Sequence, residues 1–250
     1  MLLNLRGKTA LITGSSRGIG FAIAQALNAE GCKVALNARD QECLMNSTRQ
    51  LMGSISVAGD MTQASEARRV VNEAAHILGR LDVLICCVGG GRSVAPGCET
   101  PEEWQRIFAL NFWSATNAIE AANGVLEASK GVVLCISSIC GLEVIPDAPV
   151  TYSAAKAALH AYVRGIARPL GKKGIRINAI APGNIVFDGS VWAKKLSEEK
   201  NQVISMLEKN VSLNRLGTPE DVASLSTYLV SDLANFATGG IWTLDGGQTH

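Results

Sequence analysis

Short apolar runs and stretches with helical spacing alternate along almost the whole chain, and that alternation predicts its elements. "KTALIT" reads as a strand, followed by a helix from Ile19 to Glu30 that Gly31 closes. "KVALNA" gives a second strand and "SISVAGD" a third, with Cys43, Leu44 and Leu51 forming a helical face between them. Ala67, Val70, Val71, Ala74, Ala75 and Leu78 recur at helical spacing and predict a helix over Ala64 to Leu78, ended by Gly79. "LDVLICCV" is a fourth strand. Thr100 and Pro101 then supply an N-cap and a first helical proline for one long helix, with Glu102 and Glu103 favourable in its first turn. "GVVLCIS" is a fifth strand, Val150 to Leu170 a helix, "GIRINAIA" a sixth strand and "GGIWTLDGG" a seventh. Uninterrupted apolar strands alternating with helices describe an α/β fold, in which a parallel sheet is covered on both faces. With no repeat, low-complexity tract or linker, one doubly wound domain over residues 1–250 is expected.

Composition narrows the possibilities. Apolar residues make up 47% of the 250 and charged ones 18%, which places the chain among globular proteins. A formal charge of +1 leaves no basic footprint for nucleic acid. No apolar run approaches the length of a membrane helix, and "MLLNLRGKTALIT" lacks the layout of a signal peptide, so a cytoplasmic protein is expected. The seven cysteines have no C-x-x-C spacing, which points to neither a disulfide framework nor a zinc site. Cys86, Cys87 and Cys135 sit in strand-like runs and read as small hydrophobes, with oxidation of the adjacent pair the weaker alternative. His76, His160 and His250 share no metal-ligand spacing and are given no chemistry; no metal is expected.

The first chemical motif is the glycine-rich turn of "KTALITGSSRGIGFAIAQAL", which runs from strand into helix. Gly14, Gly18 and Gly20 suit a tight turn, close approach of a pyrophosphate, and close packing of helix on strand. The helix N-terminus would offer its free N–H groups to the phosphates. This is the mechanism of a Rossmann fold, although the spacing is G-x-x-x-G-x-G. The second strand ends in "LNARD". Arg39 there, helped by Arg17 in the glycine turn, suits a 2′-phosphate, whereas Asp40 lies past the strand in a helix-capping position. NADP(H) is therefore expected in preference to NAD(H).

"TGSSRGIG", "LNF" around Asn111, "ISSICG", "YSAAK" and "NAIAPGNI" follow one another in the order of the short-chain dehydrogenase/reductase family, which this chain resembles from about Leu5 to Gly247. The ending "RLGTPEDVASLSTYLVSDLANFATGGIWTLDGG" is similar to that of its 3-oxoacyl-(acyl-carrier-protein)-reductase-like members. The resemblance implies a catalytic set of Asn111, Ser138, Tyr152 and Lys156. Tyr152 and Lys156, four apart, share a helix face. An ammonium beside a phenol is expected to lower its pKa, so that Tyr152 exchanges a proton with a substrate oxygen. Lys156 would also hold the nicotinamide ribose, Ser138 would bind the substrate oxygen, with Ser137 as the alternative, and Asn111 would kink the long helix and hold a relay water. Ser138 lies one residue further from Tyr152 than is usual in the family, which "EVIPDAPV" would absorb as a loop.

Cofactor contacts implied by the same resemblance come from Gly14, Ser16, Arg17, Gly18, Ile19 and Gly20. Arg39, Asp60, Met61, Val88, Gly89, Tyr152, Lys156, Pro182, Gly183 and Ile185 complete the set. Asp60 would accept from the adenine amino group, with helix capping as its structural alternative. Two departures stand out: "CCVG" replaces the family's "NNAG" at Cys86 to Gly89, and Phe187 replaces a threonine that follows Pro182-Gly183. The insertion over 187–213 fits a substrate lid, with Trp192, Leu196 and Met206 as pocket walls or simply a surface helix. Its lysines would suit an acidic carrier protein. The expected activity is NADP(H)-dependent interconversion of a ketone and a secondary alcohol, on a 3-oxoacyl thioester or similar small carbonyl compound, in a homotetramer. The alternatives are a nucleotide-sugar epimerase or dehydratase, which usually adds a C-terminal sugar domain, and a non-enzymatic NADP(H) sensor, which generally lacks the Tyr-Lys pair.

Overall fold

Strand β1 (Thr9–Thr13) shows how each short apolar run splits between two cores. Leu11 faces one side of the sheet, while Ala10 and Ile12 face the other, as strict alternation along a strand requires. The computed structural model describes residues 3–249, so His250 lies outside the described residues. Seven parallel strands stand in the order β3-β2-β1-β4-β5-β6-β7. They are β1, β2 (Lys33–Asn37), β3 (Ile55–Ser56), β4 (Val83–Cys86), β5 (Val132–Ile136), β6 (Arg176–Pro182) and β7 (Ile241–Leu244). Helices α1 (Gly18–Ala29), α2 (Gln41–Thr48) and α9 (Pro219–Val230) cover one face. Helices α3 (Ala64–Leu78), α5 (Ser114–Ser129) and α6 (Val150–Lys172) cover the other. The sequence expectation of a doubly wound sheet holds.

The third strand differs from expectation, and the long helix breaks around Asn111, where the resemblance implied a kink. The third strand is cut to two ladder residues, although the Val57 and Gly59 N–H groups still donate to Leu36 and Ala38 at 2.9 and 3.1 Å. Asp60 ends it by accepting from the Thr62 N–H and hydroxyl at 3.0 and 2.8 Å, a local turn that competes with the ladder. The long helix after Thr100 is interrupted. It runs as α4 (Pro101–Phe108), a π-helical turn over Ala109–Trp113, and then α5. Thr100 caps α4 as expected, its hydroxyl accepting from the Glu103 N–H at 3.2 Å. Within the turn, the Asn111 Nδ2 donates to the Ile107 carbonyl at 3.1 Å, a side chain inserted into the helical ladder.

Because all strands are parallel, β1, β4, β5 and β6 deliver the residues that follow them to one edge of the sheet. The order reverses between β1 and β4, and the crevice of such a fold opens at that switch. Over it lie α7 (Val191–Glu198) and α8 (Lys200–Asn210).

Candidate active site

The crevice at the carboxyl edge has a volume of about 1440 Å³. The loops after β1, β4, β5 and β6, together with the first turns of α6, line it. Helix α6 enters behind Pro149 and presents Tyr152 and Lys156 to the crevice on one face. Lys156 is buried, its Nζ donating to the Ile136 carbonyl at the end of β5 at 3.0 Å. That nitrogen lies 5.7 Å from the centre of the Tyr152 ring. Ser138, just past β5, caps a short turn over Ile139–Gly141 by accepting from the Cys140 N–H at 3.2 Å. His160, one helical turn beyond Lys156, ties the same turn to α6, for the Gly141 carbonyl can only accept from its Nδ1 at 3.1 Å. Burial pushes the His160 pKa down to about 4, so it stays neutral and holds this tie near neutral pH. Nothing in the sequence around His160 distinguished it from an ordinary core position.

Asn111 stands one layer behind the crevice wall. Its Oδ1 accepts from the Gly90 N–H at 3.0 Å, and its Nδ2 donates to the Gly90 carbonyl at 3.2 Å. The loop that follows "CCVG" is thus clasped from the π-helical turn. Gly89 is needed beside it: a Cβ there would stand 2.9 Å from the Asn111 Oδ1 and 3.2 Å from the Lys156 Nζ. Ser137 is buried in the wall, and its hydroxyl has no partner among the described residues.

The electrostatics correct one expectation. Lys156 does not bring the phenol of Tyr152 down in the folded chain. Burial dominates and pushes its pKa up to about 12, against a lowering contribution from the hydrogen bond with Ser138. The ammonium lies over the Tyr152 ring, 5.7 Å from its centre. Burial also brings Lys156 down to about 8, opposed by the thiols of Cys87, Cys135 and Cys140. At neutral pH Tyr152 is therefore a protonated phenol beside a buried cation.

The glycine turn fits a dinucleotide. A Cβ at Gly14 would reach within 3.0 Å of the Val88 backbone nitrogen, so only a bare backbone lets β1 and the loop after β4 close on each other. The first turn of α1 carries no acidic side chain, and Arg17 makes no side-chain cap, so no polar side chain of the turn satisfies its N–H groups. Arg17, Ile19, Gly20 and Arg39 all line the crevice. Asp40 accepts from the Cys43 N–H at 3.0 Å and caps α2, as its position implied. Asp60 lies 3.9 Å from Arg39 and is engaged by Thr62. Pro182, Gly183 and Ile185 line the far wall. Four of the expected contacts are less direct. The side chains of Met61 and Val88 pack into the core, the carbonyl of Ser16 accepts from the Ser47 hydroxyl at 2.6 Å, and Gly18 is covered by the Phe187 ring.

Residues 14–249 match a family model described as enoyl-(acyl carrier protein) reductase, which spans nearly the whole sheet and every element around the crevice. The chain belongs to the short-chain dehydrogenase/reductase family. A 3-oxoacyl-(acyl-carrier-protein) reductase of Chlamydia muridarum is 32% identical, with 98% of each chain covered. The structure of L-sorbose reductase from Gluconobacter frateurii, complexed with NADPH and L-sorbose, superposes with a TM-score of 0.92 at 28% identity, covering 99% of this chain and 98% of that one. A 7α-hydroxysteroid dehydrogenase complexed with NADH and 7-oxo glycochenodeoxycholic acid superposes at 0.90 with 30% identity, covering 99% and 96%. Relatives in this family are oxidoreductases of secondary alcohols and ketones, and the fold binds nicotinamide cofactors.

Within this short-chain dehydrogenase/reductase, the segment over 187–213 shares a small core with Leu216 just beyond it. Val203, Leu207, Val211 and Leu216 are buried together, with Trp192, Leu196 and Met206 against them. Trp192 and Met206 also line the crevice, while Leu196 does not and serves only the contact between α7 and α8. Arg92 and Arg106, which sequence reasoning passed over, line the crevice mouth. Glu103 neutralises Arg106 at 2.7 Å, and Arg92 donates to the Gly189 carbonyl at 3.3 Å. Among the described residues no helix is long and apolar enough to cross a membrane, and no cluster of ligating side chains could hold a metal ion.

Proposed function

We propose that the chain is an NADP(H)-dependent oxidoreductase that interconverts a ketone and a secondary alcohol, with a 3-oxoacyl thioester or similar small carbonyl compound as substrate. The observation that carries this reading is the meeting of Ser138, Tyr152 and Lys156 in one crevice wall beside the glycine turn. Arg17 and Arg39 support NADP(H), since no carboxylate replaces them at the end of β2 and Asp40 is occupied as a cap. The kinship with a 3-oxoacyl-(acyl-carrier-protein) reductase supports the thioester. The bound nicotinamide supplies or accepts the hydride.

The chain's own residues handle the proton. Ser138 donates to the carbonyl oxygen and orients it toward Tyr152. Tyr152, protonated because burial holds its pKa near 12, gives its proton to that oxygen as the alkoxide forms. Lys156 stabilises the phenolate left behind and anchors the ribose hydroxyls. Asn111 keeps the Gly90 wall in register through its clasp. A homotetramer in the cytoplasm completes the reading, supported by exposed Phe236 and Trp113 and by seven cysteines that all remain free.

The test is NADPH oxidation across a panel of 3-oxoacyl thioesters and simple ketones, with Tyr152→Phe alongside. Turnover by the parent and a loss on the order of 10²- to 10⁴-fold in the variant, with NADPH binding intact, is expected. Binding of NADPH without turnover of any carbonyl compound by the parent would sink the proposal.

A further inference from the structure

Gly18 opens α1 with a φ of +57°, and the ring of Phe187 lies against its bare Cα. A Cβ at Gly18 would stand 2.5 Å from the Phe187 Cε2 and 2.7 Å from its Cζ, so no atom of another molecule fits between them. This is the first turn of α1, whose N–H groups have neither a side-chain cap nor an acidic neighbour. A dinucleotide pyrophosphate seeks those same groups. The ring also packs on the apolar cluster formed by β1, α1 and α9, so it is seated rather than loose in solvent.

The seat extends into the segment that follows. The Phe187 N–H donates to the Ser190 hydroxyl at 3.1 Å, and that same oxygen caps α7 by accepting from the Ala193 N–H at 3.0 Å. Gly189, between them, is tied by its carbonyl to Arg92, and a Cβ there would lie 3.5 Å from the Arg17 Nη1. The stretch 187–190 therefore bridges the glycine turn on one side and the substrate wall on the other. Gly91, next to Arg92, faces the Tyr152 ring.

We propose that Phe187 sets the dinucleotide affinity of this protein by competing with the pyrophosphate for the N-terminus of α1. The inference rests on the cofactor reading above. A dinucleotide binds by expelling the ring from Gly18, and the ring's departure loosens the cap of α7 and the Gly189 tie. Cofactor loading is thereby linked to the start of the segment over the substrate wall. A threonine at this position would leave the helix terminus open.

The experiment is calorimetric titration of NADPH into the parent, Phe187→Ala and Phe187→Thr, combined with amide hydrogen exchange of each protein with and without NADPH. Both variants are expected to bind about tenfold more tightly or better, and NADPH is expected to speed exchange over 187–198 in the parent but not in the variants. Two variants of different size guard against one that folds poorly, which its exchange pattern would reveal. Equal or weaker binding by folded variants overturns the proposal, because the ring would then support the cofactor. An unchanged exchange pattern in NADPH-saturated parent overturns the link to α7. If none of the three proteins binds NADPH or NADH, the cofactor reading itself falls, a result distinct from equal binding by all three.

Discussion

The carboxamide of Asn111 grips the backbone of Gly90 at both of its polar groups, accepting from the N–H at 3.0 Å and donating to the carbonyl at 3.2 Å. This joins a break in a helix to the loop that walls the crevice, and it accounts for the π-helical turn. A regular helix would carry residue 111 past the loop, while one extra residue in the turn aims its amide at Gly90. Asn111→Ala leaves those groups and the Ile107 carbonyl without their partner. The expected result is a loss of about 2 kcal/mol of stability, read by urea unfolding, with a drop in kcat greater than any change in NADPH affinity. A variant as stable and as active as the parent would show the clasp to be incidental.

Lys156 carries a stability penalty of known sign. Burial lowers its folded pKa to about 8, below the value near 10.5 of the unfolded chain. The unfolded state therefore binds more protons between these values, and stability rises as pH climbs through that window. Below about pH 8 the full penalty of burying the charge is present. Lys156→Met should be inactive yet more stable than the parent at pH 7, by on the order of 2 kcal/mol. The gap should narrow between pH 8 and 10.5. Parallel unfolding curves across that range test it, and a gap independent of pH would contradict the burial argument.

Arg39 is mostly exposed and makes only a long ion pair with Asp60, at 3.9 Å, so its charge is available to a ligand. Arg39→Gln should weaken NADPH binding by about 10- to 100-fold, the range for a charge-assisted contact to phosphate, and leave NADH nearly unaffected. Titrations at two salt concentrations check the assignment, since the NADPH term alone should shrink with salt. Equal losses for both dinucleotides would place Arg39 outside the 2′-phosphate site.

Much of this was legible because parallel strands buried on both faces leave an unmistakable apolar run, and because glycine turns, caps and a Tyr-Lys pair are local signals. The Thr100 and Asp40 caps and the seven-stranded parallel sheet followed directly from such signals, whereas the order of the strands in it did not. What local pattern could not give depends on contacts between distant parts of the chain. The Asn111 clasp spans 21 residues, and the His160 tie to Gly141 spans 19. Phe187 on Gly18 joins the glycine turn to a segment far along the sequence. The Tyr152 pKa departs from expectation for a related reason: charge spacing along a helix is visible in sequence, whereas the depth of burial that outweighs it is not.

Phe236 has its whole side chain in solvent, and Leu233, Tyr228 and Trp242 are exposed to 37%, 39% and 36%. They lie on α9, the short turn after it, and β7, the last strand of the sheet, which pairs on one side only. An unpaired strand edge beside exposed aromatic rings invites association, and a second copy of the same surface satisfies both at once. The parent should therefore sediment well above the 26.3 kDa of one chain at micromolar concentration. Phe236→Glu places like charges opposite each other across a two-fold contact and should shift the population to smaller species. Because Phe236 does not line the crevice, NADPH affinity should change little. Sedimentation velocity on both proteins decides the matter, and a parent that runs as a single chain would refute the tetramer.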